Sequence, residues 1–287
     1  MSRPAQLDRL PPQAFFLVSA IFHYLGPALA VLLFARVDVL GVAWLRIASA
    51  ALVFATWRRP WRRLGKTHLH LLLALGVILA AMNTCFYLAV DRLPLSTVGS
   101  IEFLGTVLLA AAGARTGRNV AALALTTTGV AAITAVRLAG HPLGFVLAFA
   151  NCALFMAYVI LGHRIARVRP DGAGHRASGI DLLGGSMLIA AVAVTPAGLP
   201  GALAAFSRPA LLLAGVGVGV CSSVIPYVTD QLAMARLPRA TFALMLALLP
   251  VFALIIGAIV LRQFPTPRDI AGVALVTAGV AIHQERK

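Results

Sequence analysis

Ten apolar runs follow one another along this chain, near residues 14–34, 40–57, 69–90, 95–113, 119–136, 143–162, 179–198, 210–233, 239–261 and 269–283. Charged or Pro/Gly-rich breaks bound each of them. A helix rises about 1.5 Å per residue and a membrane core is about 30 Å thick, so roughly 20 apolar residues make one span. The runs are near that length, and the stretches between them leave no room for a soluble domain of useful size. Hydrocarbon offers a backbone no hydrogen-bond partner, so such runs fold as helices. The expected fold class is an all-α membrane protein with ten transmembrane helices.

Charge agrees with that reading. Only 11% of the residues are charged, against about 25% in a soluble domain. Met1 to Gln13 form a short polar lead with Arg3 and Arg9, and the apolar run from Ala14 to Phe34 exceeds a signal-peptide core. It reads as the first span of a chain retained whole. Cys85, Cys152 and Cys221 lie within apolar runs and far apart, without the spacing of a metal or redox pair, so packing is their expected role.

A net charge of +15 raises the question of nucleic acid. The distribution answers it. With ten spans, 17 of the 24 Lys and Arg fall on the side that holds both termini, six fall on the other, and Arg46 lies within a span. Juxtamembrane cations of this kind orient helices and meet anionic lipid headgroups. They predict cytoplasmic termini, a lipid environment and no nucleic-acid partner.

The chain also repeats itself. Arg92-Leu93-Pro94 with Thr97 recurs 144 residues later as Arg236-Leu237-Pro238 with Thr241. TGRNVAALALTTTGV, from Thr116, aligns with TPRDIAGVALVTAGV, from Thr266. These pairs imply a duplication into residues 1–138 and 139–287, each with five spans. An odd number of spans inverts the second copy in the membrane. Inverted repeats suit alternating access, with a substrate site near the repeat interface at mid-membrane.

Ionisable groups at membrane depth cost at least about 2.5–3.5 kcal/mol on insertion scales, so each points to a partner or a pathway. Glu102 stands eight residues after Pro94, about 12 Å into the core. It is a candidate to carry a proton or pair with an ammonium, or to form a permanent ion pair with Arg46. Arg46 suits a substrate carboxylate, which it can hold with two parallel hydrogen bonds, or it can snorkel outward beside Trp44. Asp230 shares a helical face with Tyr227 and Ser223, one turn after Pro226, a residue that bends a helix and frees a carbonyl. Its alternative is an ion pair with Arg236.

Three further stripes have helical spacing: Ser19, His23 and Pro27; Asn83 and Tyr87; Asn151, Phe155 and Tyr158. Asn83, Tyr87 and Tyr227 are candidate cavity-lining groups and His23 a candidate pH-sensitive gate. The others read as packing or interhelical hydrogen bonds. No phosphate loop, HExxH pair or nucleophile motif appears in the sequence, so no cofactor, no metal, no ATP hydrolysis and no enzymatic role is expected.

The segments AWLRIASAALVFATWRRPW, MNTCFYLAVDRLPLSTVGSIEFLG and SSVIPYVTDQLAMARLPRATFALM resemble the EamA family of drug/metabolite transporters, and within it the threonine/homoserine exporters. The likeness covers nearly the whole chain. It implies two inverted five-helix halves in a bacterial inner membrane and export of a small metabolite. Arg46, Asn83, Glu102, Pro226, Tyr227 and Asp230 match positions of the exporters. Leu249 before Pro250, Arg262-Gln263 and Thr106 depart from them, where the exporters usually carry Glu, Gly-Glu and Pro.

The expected function is alternating-access export of a small zwitterion, an amino acid such as threonine or homoserine, against protons. A non-transporting membrane scaffold or partner subunit is the alternative, with an enzyme acting on lipid less favoured. The small-residue face from Gly272 to Gly279 suits packing within the chain or in a homodimer.

Overall fold

The structure is a computed structural model that describes residues 11–62, 69–111, 116–135, 141–167, 178–246 and 248–282. Among these residues it is entirely helical. The helices are α1 (Pro12–Leu33), α2 (Val39–Arg58), α3 (Leu69–Val90), α4 (Leu95–Ala111), α5 (Gly117–Ala135), α6 (Pro142–Ala166) and α7 (Gly179–Phe206). They continue with α8 (Pro209–Met234), α9 (Arg239–Leu246), α10 (Leu249–Leu261) and α11 (Pro267–Ile282).

Six of them, α1, α2, α3, α6, α7 and α8, are long and apolar enough to cross a membrane, and the protein is a multi-pass membrane protein. The run expected at 239–261 is divided into α9 and α10, with Leu248 in a turn between them. Pro250 sits in the first turn of α10, where its missing N–H deprives the helix of nothing. Basic loop residues including Arg63, Lys66, Arg115 and Arg176, and the Thr106 side chain, lie outside what the structure describes.

Local sequence sets the helix ends. Asp38 accepts from the amides of Leu40 and Gly41 at the start of α2. Ser178 and Asp181 form a capping box on α7, and Thr266 with Asp269 caps α11 in the same reciprocal way. Each satisfies backbone donors that the first turn leaves without partners. Outward faces carry apolar side chains: Leu52, Val77, Val146, Leu213 and Ile259 are all exposed. Such a surface is costly in water and favourable against lipid tails.

The interior joins early helices to late ones. α5 packs along α11, α2 along α7, and α4 against α9 and α10. α3 lies on α6 and α7, whereas α8 lies on α1 and α2; α6 also meets α4, and α1 meets α10. α5 and α11 run antiparallel with backbones in near contact. A Cβ on Gly129 would stand 2.5 Å from the Gly272 carbonyl oxygen, and one on Gly279 2.7 Å from that of Ala122. The Gly272–Gly279 face is therefore filled by α5 of the same chain.

Candidate functional site

The site begins with an irregularity in α8. The helix opens into a π turn at Val220–Val224, and Pro226 follows in the first turn of the next α segment. Proline has no N–H to give the carbonyl four residues earlier, here that of Ser222. Instead, the Ser222 carbonyl accepts from Nη2 of Arg46 at 2.8 Å. Gly219 brings α2 this close: a Cβ there would meet the Arg46 carbonyl oxygen at 2.6 Å.

Arg46 points inward and is 3% exposed, so it does not snorkel. Its Nε donates to Ser223 Oγ at 2.8 Å, and Nη2 also reaches the Tyr227 hydroxyl at 3.4 Å. The guanidinium carbon lies 5.2 Å from the centre of the Tyr87 ring, within cation–π range. Every one of these partners is neutral, and Nη1 makes no hydrogen bond among the described residues. Tyr227 donates onward to Asn83 Oδ1 at 3.2 Å, and Asn83 Nδ2 to the Leu79 carbonyl at 2.6 Å. The Tyr87 hydroxyl is buried without a partner.

Glu102 comes from α4, and 2% of it is exposed. Its Oε1 accepts from Asn151 Nδ2 of α6 at 2.9 Å, and its Oε2 from the Tyr24 hydroxyl of α1 at 3.4 Å. His23 Nε2 stands 3.8 Å from Oε2, beyond hydrogen-bond reach. Asn151 Oδ1 is buried and accepts no hydrogen bond from the described residues. The ion pair of Glu102 with Arg46, one of the readings open from sequence, is not formed. Both residues instead line one cavity, together with His23, Pro27, Met82, Asn83, Phe86, Asn151 and Tyr227. In this conformation it leaves room on the scale of a single water molecule.

Asp230 stands apart. It shares its helix with Tyr227 but is not part of the cavity lining. The Ser19 hydroxyl of α1 donates to Oδ1 and the Tyr158 hydroxyl of α6 to Oδ2, the latter at 3.0 Å. Arg236 instead lies with its guanidinium 5.1 Å from the centre of the Phe15 ring. Aromatic rings connect the two carboxylate regions: Tyr158 lies 5.3 Å from Tyr227, and Phe155 packs between Tyr158 and His23.

Five of the seven residues singled out from sequence thus line one cavity, Arg46, Asn83, Glu102, Tyr227 and His23, whereas Tyr87, expected to line it as well, instead packs its ring against the Arg46 guanidinium. Asp230 sits behind the cavity. Sequence reasoning undervalued Ser19, Asn151 and Tyr158, whose helical stripes were visible but whose carboxylate partners were not. Tyr24 and Ser222 had no signal beyond their proximity to His23 and Pro226. Among the described residues no three His, Cys, Asp or Glu groups converge as they would around a metal ion.

Residues 142–283 match the EamA-like transporter family model. Over 285 residues the chain is 29% identical to "Threonine/homoserine exporter RhtA" of Escherichia coli strain K12, covering 96% of this chain and 92% of that protein. The protein of the same name from Salmonella typhimurium strain LT2 is similar to the same extent, 29% over 285 residues with the same coverage. A solved crystal structure superposes with a TM-score of 0.67 at 18% identity, over 95% of this chain and 97% of that one, which is a likeness of fold.

Proposed function

We propose that this chain, whose residues 142–283 match the EamA-like transporter family model, is a member of that family and exports a small zwitterion, an amino acid of the threonine/homoserine kind. The observation that carries this reading is the shared cavity of Arg46 and Glu102. An ion moved from water into protein loses several kcal/mol of solvation even after relaxation. Arg46 recovers only neutral hydrogen bonds and keeps two Nη1 donors unused. A carboxylate seated on it restores the missing charge, and Glu102 matches the ammonium of the same molecule. The exporter names of the relatives agree with such a substrate.

The proposed architecture is two inverted repeats, residues 1–138 and 139–287, with ten spans and cytoplasmic termini in a bacterial inner membrane. Packing supports it. Exchanging each of the first five helices for its counterpart in the second half, with α9 and α10 counted as one span, carries α3·α6 into α8·α1, α3·α7 into α8·α2 and α4·α6 into α10·α1. It leaves α2·α7 and α5·α11 unchanged. At residue level, Gly129 against Gly272 and Val276 becomes Gly279 against Ala122 and Thr126, the 150-residue offset of the aligned Thr116 and Thr266 segments. The burial of residues 121–129 recurs position by position in 271–279. Antiparallel counterparts require a two-fold axis across the helices, which in a bilayer lies in the membrane plane.

Transport proceeds by alternating access against a proton. Glu102, in the cavity, takes the ammonium; Asp230, behind it, takes the proton. A proton on Asp230 leaves it unable to accept fully from both Ser19 and Tyr158, loosening the hold of α8 on α1 and α6. Uptake of labelled threonine and homoserine into proteoliposomes with an acidic interior tests the reading. Uptake should exceed that at equal pH and fall at least about 100-fold in Arg46→Gln, the scale of losing a buried charged contact. A folded wild type inert toward a broad amino-acid panel refutes it.

A further inference from the structure

Asn151 lies outside the set of residues that the sequence nominated, yet it touches the cavity and carries one of its unused polar atoms. Its side chain is completely buried. An ionised carboxylate only accepts hydrogen bonds, so the group that faces Glu102 must be the Asn151 amide NH2. That contact, Nδ2 to Oε1 at 2.9 Å, fixes the orientation of the amide and leaves Oδ1 as an acceptor without a donor. Buried acceptors are rarely left so, and one at a cavity is a place for a ligand.

Resting on the zwitterion reading above, we propose that Asn151 is the specificity-determining residue for the substrate's amino group, its Oδ1 accepting one N–H of an ammonium whose charge Glu102 neutralises. An ammonium has three donors and needs acceptors around it, not a single counter-ion. Glu102 supplies carboxylate oxygen and Asn151 the neutral carbonyl beside it. Hydroxyl and carboxylic acids that lack the amine leave this pair empty. Of the neighbouring groups, the Tyr24 hydroxyl already donates to Glu102, and His23 stands 3.8 Å away as a further donor when protonated. Neither replaces the acceptor.

The pair also spans the molecule. Glu102 belongs to α4 of the first half and Asn151 to α6 of the second. An amine bound by both therefore sits across the contact between α4 and α6.

The test compares wild type with Asn151→Leu in proteoliposomes, following labelled L-threonine and its inhibition by 3-hydroxybutyrate, the same carbon chain without the amine. The expected result is a KM for threonine raised about tenfold, the scale of one hydrogen bond to a charged group. Inhibition by 3-hydroxybutyrate should stay unchanged. Should the leucine variant fail to fold by size exclusion, Asn151→Ala, which removes the amide carbonyl and puts no acceptor in its place, should show the same selective rise. A threonine KM within twofold of wild type in the folded variant overturns the assignment. Equal weakening of both ligands overturns it too, since that is what a structural role produces. If wild type transports no amino acid at all, the zwitterion reading falls, and this assignment with it.

Discussion

Glu102 and Asp230 are both buried carboxylates, yet their surroundings differ in the way that matters for transport. Asp230 has each oxygen held by a hydroxyl, from Ser19 and Tyr158, and no contact with the cavity. Glu102 has a good hydrogen bond from Asn151, a long one from Tyr24, and an open side toward the cavity that it shares with Arg46. A fully satisfied carboxylate has little to offer a ligand, whereas one with spare acceptor capacity beside an unneutralised cation does. The two nevertheless share a feature: Asn151 reaches from the second half to Glu102, and Ser19 from the first half to Asp230. Each carboxylate thus bonds segments far apart in the chain, and in the proposed mechanism a substrate enters one and a proton alters the other.

The contrast can be broken by neutralising one carboxylate at a time. Glu102→Gln should have the largest effect, removing the carboxylate that lines the cavity and lowering threonine uptake at least about 100-fold with or without a pH gradient, as expected for loss of a buried charged contact. Counterflow at equal pH reads this directly; near-normal counterflow would make Glu102 dispensable for binding. Asp230→Asn should behave differently. Counterflow should persist within roughly threefold, while the stimulation by an acidic interior disappears, because a group that no longer titrates cannot carry the proton. Retained stimulation would move the coupling site elsewhere. Ser19→Ala should have the smallest effect, removing one of two neutral donors to a charged acceptor, worth about 1.5–3 kcal/mol. It should move the pH midpoint of gradient-driven uptake, since Ser19 is one of the two hydroxyls that hold the Asp230 carboxylate. An unchanged midpoint would show that this hydroxyl does not tune Asp230.

Parts of this arrangement were legible before any coordinates. Pro226 implied a freed carbonyl, and the Ser222 carbonyl is found bonded to Arg46. The depth of Glu102 in its run implied burial, and it is buried; for Arg46 the sequence left burial and snorkelling both open, and it too is buried. Asn151 was not legible as a partner of Glu102, because an asparagine at helical spacing in an apolar run reads equally as an interhelical hydrogen bond anywhere. Ser19 and Asp230 are 211 residues apart, and no local pattern links positions at that distance. The split between α9 and α10 was hidden too, since Pro250 in an apolar run gives no sign that the preceding turn ends one helix and starts another.

Apart from the break between α9 and α10, the secondary structure follows from the chain alone, because hydrocarbon admits no unpaired backbone and the apolar runs, caps and prolines leave few choices of where a helix starts and stops. The recurrence of Arg-Leu-Pro at 92–94 and 236–238, from which the proposed counterpart of each helix follows, was also written in the residues. Which helices touch was decided only in three dimensions. Lipid tails are as apolar as the side chains they surround, so hydrophobicity cannot choose between partners, and shape must do it: Gly129 and Gly279 let two backbones meet, and Gly219 brings α2 to the π turn of α8. From that choice of neighbours came the cavity, and the separation of one carboxylate that faces it from one that does not.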